Sequence, residues 1–319
     1  MNSQSSIGVI LPRDLPAHQV LGYAQKAERL GFDELWVVED LGFRGGFSQA
    51  GAVLAGTENI GVGIGILPAA SRNVAFAAME IATLGQLFPG RVAVGIGHGM
   101  PGWMRQAGCW PDRPLTFLSE YTQGVRALLG GDTLNGTVAG ARLEDVRLEP
   151  SSLPETSPPL LLGVRGPRSL AASGQVADGT VLAEPVTPEY VVAAREQIAA
   201  QDAHRVVAYN LAAVDPDPDV AIATARPGLE WIGEPDWAPH LRPLPFAAEF
   251  AALRAGCATR QEFAERLPAP WVQQLALAGT PAQVRTRIDD LTAAGVTSNV
   301  LMPAGPDPLA ALEQLATVL

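Results

Sequence analysis

At 319 residues with a formal net charge of −11, the chain has length for one large domain or two ordinary ones. It carries the wrong sign of charge for a phosphate backbone or an anionic membrane surface, which excludes nucleic acid and membrane as partners. Cys109 and Cys257 lie far apart with no CxxC or ligand spacing, MNSQSSIGVI lacks a signal peptide's basic and apolar regions, and no apolar run is long enough for a membrane span; these point to a reducing compartment, the cytoplasm, with no disulfide framework and no metal site.

Apolar runs alternate with amphipathic segments from end to end. IGVIL (7–11) predicts a strand and PAHQVLGYAQKAERLG (16–31) a helix, with Pro16 near its start and Gly31 at its stop. ELWVVE (34–39) is the second strand, followed by a helix over 47–57. The third strand is IGVGIGIL (60–67), followed by a helix over 73–90 that ends in Pro-Gly. RVAVGIG (91–97) is the fourth, with a helix over 114–131. Strands over 159–164, 179–184, 205–214 and 296–305 follow. Helices cover 167–177, 188–201, 281–295 and 307–319. Strands apolar on both faces are buried on both faces and form a parallel sheet. Eight such βα units predict one (β/α)8 TIM-barrel domain over 1–319, a doubly wound open sheet being the alternative. Two regions break the rhythm. Residues 131–158, after strand four, look like a hairpin with a Pro/Ser-rich connector. Residues 225–279, after strand seven, gather Trp, Pro and His, and suit a lid, a packing subdomain or a dimer surface.

In such a barrel the ligand binds where strands end. Strand one ends in Leu11, Pro12 and Arg13, strand six in LAEP (182–185). GVGIGILPAASRNV (61–74) places glycine on alternate positions of a core strand, which gives up packing unless another backbone or a ligand comes close. GIGHGM (95–100) resembles a dinucleotide fingerprint only loosely, and no Walker, HExxH or GxSxG motif occurs. GVRGPRS (163–169) runs from a strand into a helix N-terminus, where N–H groups with Arg165 and Arg168 suit a phosphate; Pro167 at a first helical turn with solvent-facing arginines is the plain alternative. Glu39 and Asp40 are neighbours at a strand end, so one faces the barrel mouth and the other the helix layer. His98 sits between glycines at another.

IGVILP, GFDELWVVED, GVGIGILPAASRN, FPGRVAVGIGHG, GVRGPRSLAASGQVADGTVLAEPVTPE and GTPAQVRTRIDDLTAAGV together resemble the bacterial-luciferase-like oxidoreductase superfamily, and most of all its deazaflavin-dependent branch. The resemblance spans nearly the whole chain. It implies a TIM barrel with a flavin or deazaflavin at the C-terminal mouth and a non-proline cis peptide at Gly65–Ile66, with Ile66 against one ring face. Carried over residue by residue, the cofactor would meet Gly65, Ile66 and Leu67, then Gly97 and Gly99. Its phosphate would meet Gly163, Val164, Arg165, Gly166, Pro167, Arg168 and Ser169. Where the branch has an Asp-His pair after strand two, this chain reads Glu39-Asp40, so Asp40 and His98 are the residues to test for proton transfer or substrate orientation. The implied activity is hydride transfer between coenzyme F-420 and a small organic substrate. The alternatives are a monooxygenase using flavin mononucleotide (FMN) reduced by a separate flavin reductase, and a cofactor-free small-molecule binding protein. A homodimer is left open.

Overall fold

The structure, a computed structural model, describes residues 5–200 and 203–319. Its strands are β1 (Ser6–Ile10), β2 (Glu34–Val37), β3 (Gly61–Pro68), β4 (Val92–Gly97), β5 (Leu134–Val138), β6 (Ala141–Val146), β7 (Leu160–Gly163), β8 (Gly179–Leu182), β9 (Arg205–Val214), β10 (Leu277–Gly279) and β11 (Ser298–Pro303). Eight of them close a parallel ring in the order β1-β2-β3-β4-β7-β8-β9-β11 and back to β1. The chain is a (β/α)8 TIM barrel. β5 and β6 form an antiparallel hairpin outside it, and β10 pairs with the far end of β9.

The helices are α1 (Val20–Leu30), α2 (Gly46–Gly56), α3 (Val74–Leu87), α4 (Pro101–Gln106), α5 (Pro114–Leu129), α6 (Pro167–Val176), α7 (Pro188–Ile198), α8 (Pro218–Ala225), α9 (Ala238–Leu241), α10 (Ala247–Ala255), α11 (Arg260–Arg266), α12 (Ala269–Leu275), α13 (Pro281–Ala294) and α14 (Pro308–Leu315). Their starts follow from local chemistry. Pro281 opens α13 behind a reciprocal Thr280–Gln283 cap, and Thr187 accepts from Tyr190 N–H ahead of α7. Gly31 and Gly295 end α1 and α13 at φ of 96° and 114°, a region that costs glycine little. Three expectations shift. β2 stops at Val37, which leaves Glu39 and Asp40 in the loop beyond it. The helix over 188–201 ends at Ile198, and its position 201 lies outside the described residues. The six residues of α4, opened by Pro101, were not anticipated because they are too few to show a period. Among the described residues no helix is long and apolar enough to cross a membrane.

The barrel interior is filled by Ile10, Trp36, Ala93, Leu161, Val181, Val207, Tyr209 and Val300. Trp36 and Tyr209 meet edge to face at 5.7 Å. Their bulk explains the alternating glycines of β3. A Cβ on Gly63 would lie 2.2 Å from the Trp36 ring, and one on Gly65 1.9 Å from the Tyr209 hydroxyl. The strand gives up side chains because two large rings occupy their space. Below them, Glu34 closes the floor: it pairs with Arg205 and accepts from Trp36 Nε1 (2.7 Å) and Ser298 Oγ (2.8 Å). The segment from 225 to 279 has its own apolar centre, including Leu229, Trp237, Phe250, Phe263 and Val272.

Candidate active site

A cavity of about 340 Å³ lies at the N-terminal floor, bordered by Asp33, Glu34, Arg91 and Arg205. In a TIM barrel that end serves stability, and chemistry belongs to the opposite end. There the β3–β4 register shifts between Ile64 and Leu67, and the Gly65–Ile66 peptide is cis. Ile66 lies across the neighbouring strands on a bed of glycines. A Cβ on Gly163 would sit 2.3 Å from its Cγ2; on Gly97, 3.1 Å from its Cδ1; on Gly95, 3.1 Å from its Cγ2. Glycine at three positions on two strands thus makes room for one half-buried side chain at the mouth. Leu67 and Val164 are buried beside it, and Gly99, at φ 70°, packs on Met104 and Pro68. This floor fits a flat ring, because it is apolar and its height is set by Ile66.

Beyond β7, Gly166 turns at φ 89° and Pro167 opens α6. No side chain caps this helix, so the first N–H groups, near Arg168 and Ser169, remain for an anion. Arg168 is exposed above them. Arg165 turns elsewhere. Its guanidinium lies 5.0 Å from the Trp237 ring centre, and its Nη1 donates to the Asp236 carbonyl at 3.3 Å. The two arginines of GVRGPRS therefore have separate surroundings.

The segment after β9 also meets the loop that follows β8. Trp237 Nε1 donates to the Glu184 carbonyl (3.1 Å), and His240 Nδ1 bonds the Pro185 carbonyl (3.1 Å). Asn210 holds Val186 at both its N–H and its C=O. Burial, with help from Arg165, lowers the His240 pKa to about 3.

Glu39 and Asp40 do point apart. Glu39 takes two bonds from Arg72 (2.8 and 3.0 Å) and one from Gly46 N–H (2.7 Å), on the helix-layer side. Asp40 pairs with Arg13 at 2.6 Å, and Arg13 lies over Phe43. His98 is half-buried with Trp110 as its aromatic neighbour, and burial lowers its pKa, so it stands neutral at neutral pH. Arg13, Glu184 and Trp237 were not singled out from sequence. The first two do lie at strand ends, which was the signal for them; nothing in the sequence announces which insertion residue meets the mouth.

The profile of the luciferase-like monooxygenase family matches residues 3–298. The chain belongs to that family. It is similar to the 5,10-methylenetetrahydromethanopterin reductase of Methanolobus tindarius, 27% identical over 93% of this chain and 94% of the relative. The F420-dependent glucose-6-phosphate dehydrogenase of Beutenbergia cavernae is 33% identical over 53% of this chain and 52% of its own. Among solved structures, the coenzyme F420 dependent tetrahydromethanopterin reductase of Methanopyrus kandleri superposes with a TM-score of 0.83 at 22% identity, covering 98% of each chain.

Proposed function

We infer that this luciferase-like oxidoreductase moves a hydride between a deazaflavin, coenzyme F-420, and a small organic substrate. The observation that carries the reading is Ile66 on its glycine bed at the mouth, a platform for a flat ring. The names of the relatives, F420-dependent in several cases, support the choice of ring. A bound deazaflavin supplies the hydride-carrying carbon and nothing else. The chain supplies the rest. Ile66, flanked by Leu67, Gly97 and Gly99, would back one ring face and leave the other to the substrate. The turn from Gly163 to Ser169 would hold the phosphate on the first N–H groups of α6, with Arg168 adding charge. Trp237, which meets Arg165 and the Glu184 carbonyl at the strand ends, would help to exclude water so that donor and acceptor carbons could meet in a fixed geometry. Asp40 and His98 would border the substrate.

Titration of the apoprotein with oxidised coenzyme F-420 and with FMN, followed by fluorescence quenching, tests this. The expected result is saturable quenching with the deazaflavin at far lower concentration than with FMN. Tighter FMN binding, with oxygen consumed when reduced FMN is supplied, would replace the reading with a monooxygenase; binding of neither would leave a small-molecule binding protein.

A further inference from the structure

The ring of strands brings four charged residues to the mouth in an order that the sequence does not display. Arg13 follows β1 and Asp40 follows β2; Arg165 follows β7 and Glu184 follows β8. In the eight-stranded ring β1 stands opposite β7, and β2 opposite β8. The two arginines therefore stand at strand ends on one diameter and the two carboxyl residues at strand ends on the other. Ile66, Gly97 and Gly163 form the uncharged side between them.

The two carboxyls are not equivalent. Asp40 is paired with Arg13 at 2.6 Å. No hydrogen bond from another described residue reaches the Glu184 carboxyl, although its backbone is clamped by Trp237, and the next two residues by His240 and Asn210. Its own backbone N–H donates to it and, with Arg165 and Arg13, favours its charged form; Asp40 opposes that form, and the buried Tyr209 hydroxyl senses the carboxyl from below. Glu184 follows β8 at the mouth end of the barrel, and among the described residues its carboxyl stands in no ion pair. Burial outweighs the arginines and pushes its pKa up. A carboxylic acid whose proton is held more tightly than an ordinary glutamate's, on a fixed backbone at the mouth and outside any ion pair, suits general acid catalysis.

We propose that Glu184 is the proton-transfer residue of this mouth, with Asp40 the ion-pair partner that positions Arg13. The proposal rests on the hydride-transfer reading. In the reduction of a carbonyl substrate, a reduced deazaflavin would be oxidised by giving its hydride to the carbonyl carbon; the C=O π bond would open and the oxygen would take the proton of the Glu184 carboxyl, leaving Glu184 as carboxylate to regain a proton from water. The reverse reaction returns the hydroxyl proton to Glu184. His98, which follows β4 and has Trp110 as its aromatic neighbour, is not needed for this step.

The test uses full-length protein with ¹³C-carboxyl-labelled glutamate, the Glu184 signal being assigned by its loss in Glu184→Gln and by its replacement in Glu184→Asp. The expected result is a carboxyl that titrates above the ordinary glutamate range in apoprotein and shifts again when oxidised coenzyme F-420 is added. Glu184→Gln should hold the cofactor within about threefold of wild-type affinity. With reduced coenzyme F-420 and a series of simple ketones and aldehydes, it should be slower by about 10²–10⁴-fold and lose the alkaline limb of the rate profile, with Glu184→Asp in between. An ordinary glutamate titration, a signal indifferent to bound cofactor, wild-type turnover in Glu184→Gln, or a cofactor-binding wild type that reduces no carbonyl of the series would each overturn the proposal. Failure of the hydride-transfer reading has a separate signature: no quenching by the deazaflavin in a wild type whose Glu184 still titrates high.

Discussion

Tyr209 and Gly65 show how single atoms set this mouth. The Tyr209 hydroxyl is buried with no hydrogen-bond partner, and burial pushes its pKa far up, so it stays neutral. An unpartnered buried hydroxyl costs about 1–3 kcal/mol. It also fills the space where a Gly65 side chain would begin. Tyr209→Phe should therefore raise stability by about 1 kcal/mol. Gly65→Ala should lower it by about 1–3 kcal/mol through overpacking. The two should couple, since the phenylalanine removes the atom that the new methyl strikes. Urea denaturation of both single variants and the double variant measures this. A Gly65→Ala cost that is the same in either background would mean that the glycine is required by something other than the hydroxyl. The sequence showed that β3 must admit something close. It could not show that the nearest intruder is a side chain of β9, about 140 residues away, because that contact exists only once the barrel closes.

At the scale of elements, the turn from β7 into α6 divides its labour. Arg168 is exposed at the first turn of a helix that no side chain caps, whereas Arg165 leans on Trp237 and the Asp236 carbonyl. The motif GVRGPRS made both arginines equal claimants for a phosphate. Their difference comes from the segment after β9, whose packing has no period to read. Arg168→Ala should lower deazaflavin affinity by about 1.5–3 kcal/mol, the worth of a charge-assisted hydrogen bond, and leave the melting temperature near wild type. Arg165→Ala should lower the melting temperature and speed hydrogen exchange over residues 235–241, because it unties that segment from the mouth. Quenching titrations and thermal melts on the same two preparations separate the roles. If Arg165→Ala melts like wild type, its contact with Trp237 holds nothing in place.

Across the whole molecule, the barrel itself was legible because its eight strands are buried on both faces and carry that fact in their composition. The ring of charges at the mouth was not, since opposition across a barrel is a property of closure and not of spacing along the chain. Acid sensitivity is another property of the whole. His98, His204 and His240 all have pKa values lowered by burial, and His240 is the extreme at about 3. Its ring is fully buried against Tyr190, its Nδ1 faces the Pro185 carbonyl, and its Nε2 has no partner. In the unfolded chain this imidazole takes a proton as pH falls through its ordinary value of 6.5; in the folded protein it does so only near 3. Between those limits the unfolded state binds the extra proton, so folding stability falls as pH falls, by up to about 1.4 kcal/mol per pH unit for this one group. Above 6.5 the group contributes no pH dependence. His240→Asn keeps a donor for the Pro185 carbonyl and removes the titration. Chemical denaturation between pH 7.5 and pH 4 should give a stability curve that is shallower in His240→Asn by about one proton's worth of slope, with the two proteins' curves running parallel above pH 7. Parallel curves throughout would mean that the imidazole reaches water, and that the segment carrying it does not seal the mouth.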